Sequence, residues 1–116
     1  MIIRQEQVDA LVADRLRLFI RSLTARVAER DPVSAAVLSE TELHARVQRA
    51  VDRSLAFGID AERDVTTFVD LSFELGALLD EELEREWARE LLSDPSRSGS
   101  LKTELLLLGL SRLRTP

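Results

Sequence analysis

His44 is the only histidine in the chain, and there is no cysteine. A lone imidazole has no second histidine with which to share a metal ion and no thiol to activate. It falls one turn into a helix, on the flank of an apolar stripe, where a structural role is expected. The remaining groups with reactive potential are carboxylates. Glu81, Glu82, Glu84 and Glu86 lie in the run Asp80-Glu81-Glu82-Leu83-Glu84-Arg85-Glu86. Two carboxylates can do general acid–base work, but four in one charge-rich helix read as a solvated face, or as an acidic patch that meets a basic partner. No glycine-rich phosphate loop and no serine-centred elbow occurs. These residue types predict a protein that is not an enzyme and holds neither metal nor organic cofactor.

Two further groups could act in recognition. Arg46, Arg49 and Arg53 share one side of a helix, opposite its apolar face. They form either a solvated face or a site for an anion or an acidic partner. Glu42 lies four residues before Arg46, an ion-pair spacing worth only about 0.2–0.5 kcal/mol. Trp87, the single tryptophan, is in phase with Leu83 and Leu91. It is either a core anchor or an interface hot spot, a role in which tryptophan is enriched.

The elements that must position these residues are set by a chain of 116 residues, 45% hydrophobic and 32% charged. That length suits one domain, and that composition suits a folded protein rather than a disordered one. No apolar run approaches the roughly 18–20 residues needed to cross a bilayer. Met1-Ile2-Ile3-Arg4 leads straight into a charged helical pattern rather than a secretory leader, so a cytoplasmic location is expected. The net charge of −5 is uneven. Residues 1–58 hold nine arginines against eight acids, whereas residues 59–116 hold seven bases against thirteen acids. Phosphate contacts dominate nucleic-acid affinity, so so acidic a chain, with a single lysine, is not expected to bind nucleic acid.

Apolar periodicity predicts helices throughout. The first spans about Gln5 to Arg30, with Val8, Val12, Leu16, Phe19, Ile20, Leu23 and Val27 in one arc at 100° per residue. Asp31-Pro32 ends it, and Val33 to Leu38 is a linker or an extra helical turn. A second helix starts near Ser39, whose spacing to Glu42 is that of a capping box. It ends at Gly58, with Ile59 folding back as in a Schellman motif. A third begins with Asp60 as cap and carries Ser72 and Gly76 in mid-face. Gly76 either admits a close neighbour or marks the helix end. A fourth runs from about Glu81 to Leu92 with Asp80 as cap, and a fifth from about Leu101 to Leu113. No stretch alternates with period two, and no Asn-Gly or Asp-Gly dipeptide marks a hairpin. The expected fold is all-α, a single domain over residues 1–116 built as a bundle of four to five helices.

Two helices carry more apolar surface than one core requires. Leu11 and Leu18 point roughly 100° away from the main arc of the first helix. The last helix has leucine at 101, 105, 106, 107, 108, 110 and 113 and no clean polar side. A helix apolar all round is either buried centrally or docks on something else, here a partner protein or a second copy of the chain. The expected interface residues are Leu11, Leu18, Leu107 and Leu110, with Trp87 and the acidic Glu81, Glu82 and Glu86.

The stretch Phe57-Gly58-Ile59, Glu62-Arg63-Asp64-Val65, Phe68-Val69-Asp70-Leu71, Glu74-Leu75-Gly76, Trp87-Ala88, Leu91-Leu92, Asp94-Pro95, Ser98-Gly99 and Lys102 resembles a group of small bacterial proteins. That group often accompanies type VI secretion effectors and spike-tip proteins. The resemblance covers roughly residues 1–105. Two positions depart from it: Glu86 stands where the group has a proline before the tryptophan, and Leu79-Asp80 where it has an aromatic-Asp pair. The resemblance implies a helper role, as adaptor, chaperone or cognate binder of a secreted toxin, and supplies no catalytic residue. The expected function is therefore a protein-binding accessory factor for a secreted effector. The alternative is an immunity protein that neutralises a toxin through its acidic face.

Overall fold

The capping and stop signals of the sequence act as helix boundaries, and they cut the chain more finely than periodicity alone suggests. A computed structural model describes the backbone of residues 5–114 and the side chains of residues 12–113. Among the described residues there are seven α-helices and no strand. They are α1 (Gln5–Arg30), α2 (Pro32–Val37), α3 (Glu40–Ala56), α4 (Glu62–Leu75), α5 (Ala77–Leu83), α6 (Glu86–Ser93) and α7 (Gly99–Arg114). The all-α class holds. The count is seven rather than four or five because α2 and α5 are separate helices.

Asp31 creates α2. Its carboxylate accepts from Ser34 N at 3.1 Å and from Ser34 Oγ at 2.6 Å, and Pro32 at the first position has no N–H to satisfy. The hydroxyl bond, with the backbone bond behind it, holds the Asp31 carboxyl below the usual carboxylate range. Ser39 caps α3 as its spacing predicts, accepting from Glu42 N at 3.1 Å. The far end of α3 closes as a full Schellman motif: Ile59 N donates to Ser54 O and Gly58 N to Leu55 O. Gly58 supplies the positive φ of 80° that this motif needs.

Gly76 separates α4 from α5. Its φ of 54° and ψ of −124° suit glycine alone, and a Cβ there would meet nothing within 4 Å. The residue therefore reverses the backbone and does not admit a close neighbour. Two expected caps are corrected. Ala61, not Asp60, occupies the N-cap of α4, without a side-chain bond. Asp80 lies inside α5 and takes an ion pair from Arg53 at 2.5 Å. The helix expected from Glu81 starts at Glu86 instead, because Arg85 is extended (φ −71°, ψ 150°).

The chain divides into two compact units, Met1–Gln48 and Arg49–Pro116, with the boundary inside α3. In the first, α1 packs against α2. Its buried apolar side chains are Ile20, Leu23, Val27, Leu43 and Val47. In the second, α7 packs against α4 and α6, and α5 against α4 and α6. Its core is formed around Ile59, Phe68, Leu71, Leu79, Leu106 and Leu110, with Phe57 edge-on to Phe68 at 6.0 Å between ring centroids.

One buried cation ties three helix ends of the second unit together. Lys102, in the first turn of α7, donates through Nζ to Phe57 O and to Leu92 O, each at 2.9 Å. Phe57 lies one residue past the end of α3 and Leu92 in the last turn of α6, where backbone acceptors lack helical partners. Gly99 permits the approach, since a Cβ there would stand 2.5 Å from Gly58 O. Ser100 Oγ donates to the buried Asp64 at 2.6 Å and joins the starts of α7 and α4.

Candidate functional site

The last helix divides its leucines between two faces. Lys102, Thr103, Leu106 and Leu110 form a buried line. Leu101, Leu105 and Leu108 follow at spacings of four and three on a stripe roughly 150° away. Leu101 is 41% exposed and Leu108 is 70% exposed, while Leu105 is partly buried against the core. The docking face expected at Leu107 and Leu110 is accordingly corrected. Leu110 is fully buried, because its position is in register with Leu106 and faces the core. Leu107 is half-buried and packs against that core.

The remaining expected interface residues separate in the same way. Leu18 is 63% exposed, and the Leu11 side chain lies outside the described residues. Glu81 and Glu86 are exposed. Glu82 is buried, and is thereby removed from the expected acidic surface. Its Oε2 accepts from Arg112 Nη2 at 2.5 Å and from Trp87 Nε1 at 3.3 Å, and its Oε1 pairs with Arg85 Nε at 2.9 Å. Trp87 is half-buried, laid against α7 at Gly109. A Cβ at Gly109 would sit 2.4 Å from two indole carbons. Thus α5, α6 and α7 meet at one carboxylate and one ring, and the tryptophan serves this junction.

Burial pushes the Glu82 carboxyl up, but the hydrogen bonds from Arg112 and Trp87, with the charges of Arg112 and Arg85, outweigh it. The net result is a carboxyl below the usual carboxylate range. A depressed folded-state pKa stabilises the fold at pH values above the unfolded value, about 4.3 for glutamate. That contribution is lost as pH falls through the folded value. The variant Glu82→Gln is therefore expected to be less stable than the parent at neutral pH. The gap should close as pH falls below about 4, read from urea midpoints across a pH series.

The second unit keeps an open acidic hollow on α5 and α6. Glu84, Glu86, Arg89, Glu90 and Ser93 line a hollow of about 570 Å³. Three carboxylates and one guanidinium give it a net negative lining. In the first unit, α1, α2 and the start of α3 enclose a groove of about 530 Å³ lined by Arg21, Thr24, Ala25, Ala28, Ala35, Leu38, Glu40, Leu43 and His44. His44 is exposed on this groove, not packed as a core histidine. One carboxylate shares the lining with it. Thr24 Oγ is already given to Ile20 O at 2.8 Å. Among the described residues no group of three His, Asp or Glu side chains converges as a metal site.

The three arginines of α3 do not act as one patch. Arg53 is held by Asp80, Arg46 acts on the Asp31 carboxylate from a distance, and Arg49 is exposed. Sequence reasoning overlooked the roles of Gly109 and Arg112, since no local pattern marks a glycine that seats a ring or an arginine that reaches back thirty positions to Glu82. No helix among the described residues is long and apolar enough to cross a membrane. Comparison with protein-family models, with characterised proteins and with solved structures finds no match.

Proposed function

We propose that this chain is a non-enzymatic protein-binding accessory factor, an adaptor or chaperone for a secreted effector of the type VI kind, which docks its client on the outer stripe of α7. The observation that carries the reading is the exposure of Leu101 and Leu108 on a helix whose opposite face already fills the core. Covering each would contribute roughly 1.5–3 kcal/mol, enough for the two to anchor an interface. The open acidic face beside Glu84, Glu86 and Glu90 would steer a basic client and raise its on-rate more than its final affinity. The resemblance noted in the sequence supplies the secretion setting.

The test is co-purification of the chain from cells that also express its neighbouring genes. One stoichiometric partner is expected with the natural chain. Loss of that partner is expected with Leu101→Arg/Leu108→Arg, while Leu18→Arg retains it. Recovery of the chain alone overturns the reading.

The acidic hollow also supports a second reading, an immunity protein whose carboxylates cover the active site of a basic toxin. Growth rescue separates the two. An immunity protein restores growth to cells making the cognate toxin, and charge reversal at Glu86 and Glu90 abolishes the rescue. An adaptor is required for export of its client and need not rescue.

A further inference from the structure

We infer that the segment received by α7 is an amphipathic α-helix with a basic residue on each flank of its apolar stripe. The inference rests on the docking reading above and adds to it the shape and charge of what docks. Leu101, Leu105 and Leu108 stand at steps of four and three, the spacing at which one helix offers a seam to another. Leu101 and Leu108 are exposed and Leu105 is half-buried, so the seam is open to a second helix.

One wall of the seam is α6. Lys102 Nζ reaches Leu92 O, and Gly109 meets the Trp87 ring. Position falls along α6 as it rises along α7, so the two helices run antiparallel. Gly109 and Lys102 lie roughly 100–120° round from Leu108, on the same side as Leu105. The half-buried Trp87 therefore borders the seam. On α6, Glu90 lies roughly 60° from Trp87, away from the buried Ala88 and Leu91. It is exposed and, counted between the two contacts, stands level with Leu105. The other wall is Glu104, exposed and roughly 40° from Leu108 on the side away from α6. The seam thus carries one carboxylate on each flank at nearly the same level. Neither has a base three or four positions away in its own helix.

These flanks select the occupant. Charges beside a helix–helix seam set partner choice, and like charges brought together suppress the wrong partner. A second copy of this chain brings the same two carboxylates, from a half that holds thirteen acids against seven bases, and is disfavoured. A helix with lysine or arginine on both flanks satisfies Glu90 and Glu104 together. Two positions of a helix that are two residues apart lie roughly 200° from one another, so a pair of bases at that spacing reaches both walls while leucine-like side chains between them cover Leu105 and Leu108.

Trp87 is the only tryptophan, so its emission reports binding of tryptophan-free peptides to the full chain. The probe is a synthetic helix of about three heptads with leucine along the seam and lysine on both flanks. Its controls are a twin with glutamate on the flanks and a scrambled peptide of the same composition. The lysine-flanked helix should shift the emission and bind roughly tenfold or more tightly than either control. Glu90→Lys/Glu104→Lys should reverse the preference toward the glutamate twin, and Leu101→Arg/Leu108→Arg should abolish the shift. Equal binding of the scrambled peptide or the twin, or a preference unchanged by the double charge reversal, overturns the inference. A co-purified client that is lost with Leu101→Arg/Leu108→Arg but retained by Glu90→Lys/Glu104→Lys also overturns it, and leaves the accessory role standing. A reversed peptide preference in a chain that recovers no client supports the helix inference and removes the accessory role.

Discussion

Replacing Leu110 by alanine is expected to lower the unfolding free energy by about 2–5 kcal/mol, whereas Leu108→Ala, two residues earlier, should change it by less than about 0.5 kcal/mol. Both are leucines in the same helix, and no local sequence property distinguishes them. The difference lies in their surroundings. Leu110 is fully buried among the core side chains of the second unit, so truncation leaves a cavity. Leu108 faces outward, and truncation removes little contact. Urea unfolding of the two variants checks this directly. Equal losses at both positions would mean that the outer face of α7 is covered. Equal neutrality would mean that α7 does not form the core. If α7 is the docking face proposed above, Leu108→Ala should also weaken client capture while leaving the fold intact.

The second large effect is expected at Lys102. Lys102→Met retains most of the apolar stem but removes an ammonium that serves two carbonyl oxygens, Phe57 O and Leu92 O. Hydrogen bonds from a charged donor are worth about 1.5–3 kcal/mol each, and a buried acceptor left without a partner adds its own cost. A loss of roughly 2–4 kcal/mol is expected. The loss should be accompanied by faster hydrogen exchange at Ile59 and in the first turn of α7, because the C-terminal turn of α3 loses its clamp. Lys102→Arg should not restore the parent stability, since a planar guanidinium does not replace a compact ammonium at this site. Unchanged exchange in Lys102→Met would remove the clamp from the account.

The reading of helix ends from local signals was successful where one residue type does the work alone. Asp31-Pro32, the Ser39 cap and the Gly58-Ile59 turn act within five residues of chain: the first helix stops at Asp31, which also caps α2, Ser39 accepts from Glu42 N, and Gly58 and Ile59 close α3. Breaks decided by several weak preferences were not legible in advance. The separation of α5 from α6 at Arg85 has no glycine or proline to announce it. It is accompanied by the contacts of Glu82 with Arg112 and Trp87, which join three helices.

The candidate docking face shows the same division. The abundance of leucine in the last helix announced that some apolar side chains exceed the needs of a small core. It did not assign the face, because a run of leucines has no phase: rotating the helix by one residue exchanges Leu107 for Leu108 without changing the pattern. Phase is decided by the groups that are not leucine. Lys102 is drawn to the carbonyls of two other helices, and Gly109 must meet the Trp87 ring. With both in place, Leu106 and Leu110 turn inward and Leu101 and Leu108 outward. By itself, then, the sequence determined an all-helical chain, the position of several caps and an excess of apolar surface, all of which arise from interactions within a turn or two of helix. Only the tertiary structure decided which leucines are surface and which glutamate is buried, because those outcomes depend on contacts between residues far apart in the chain.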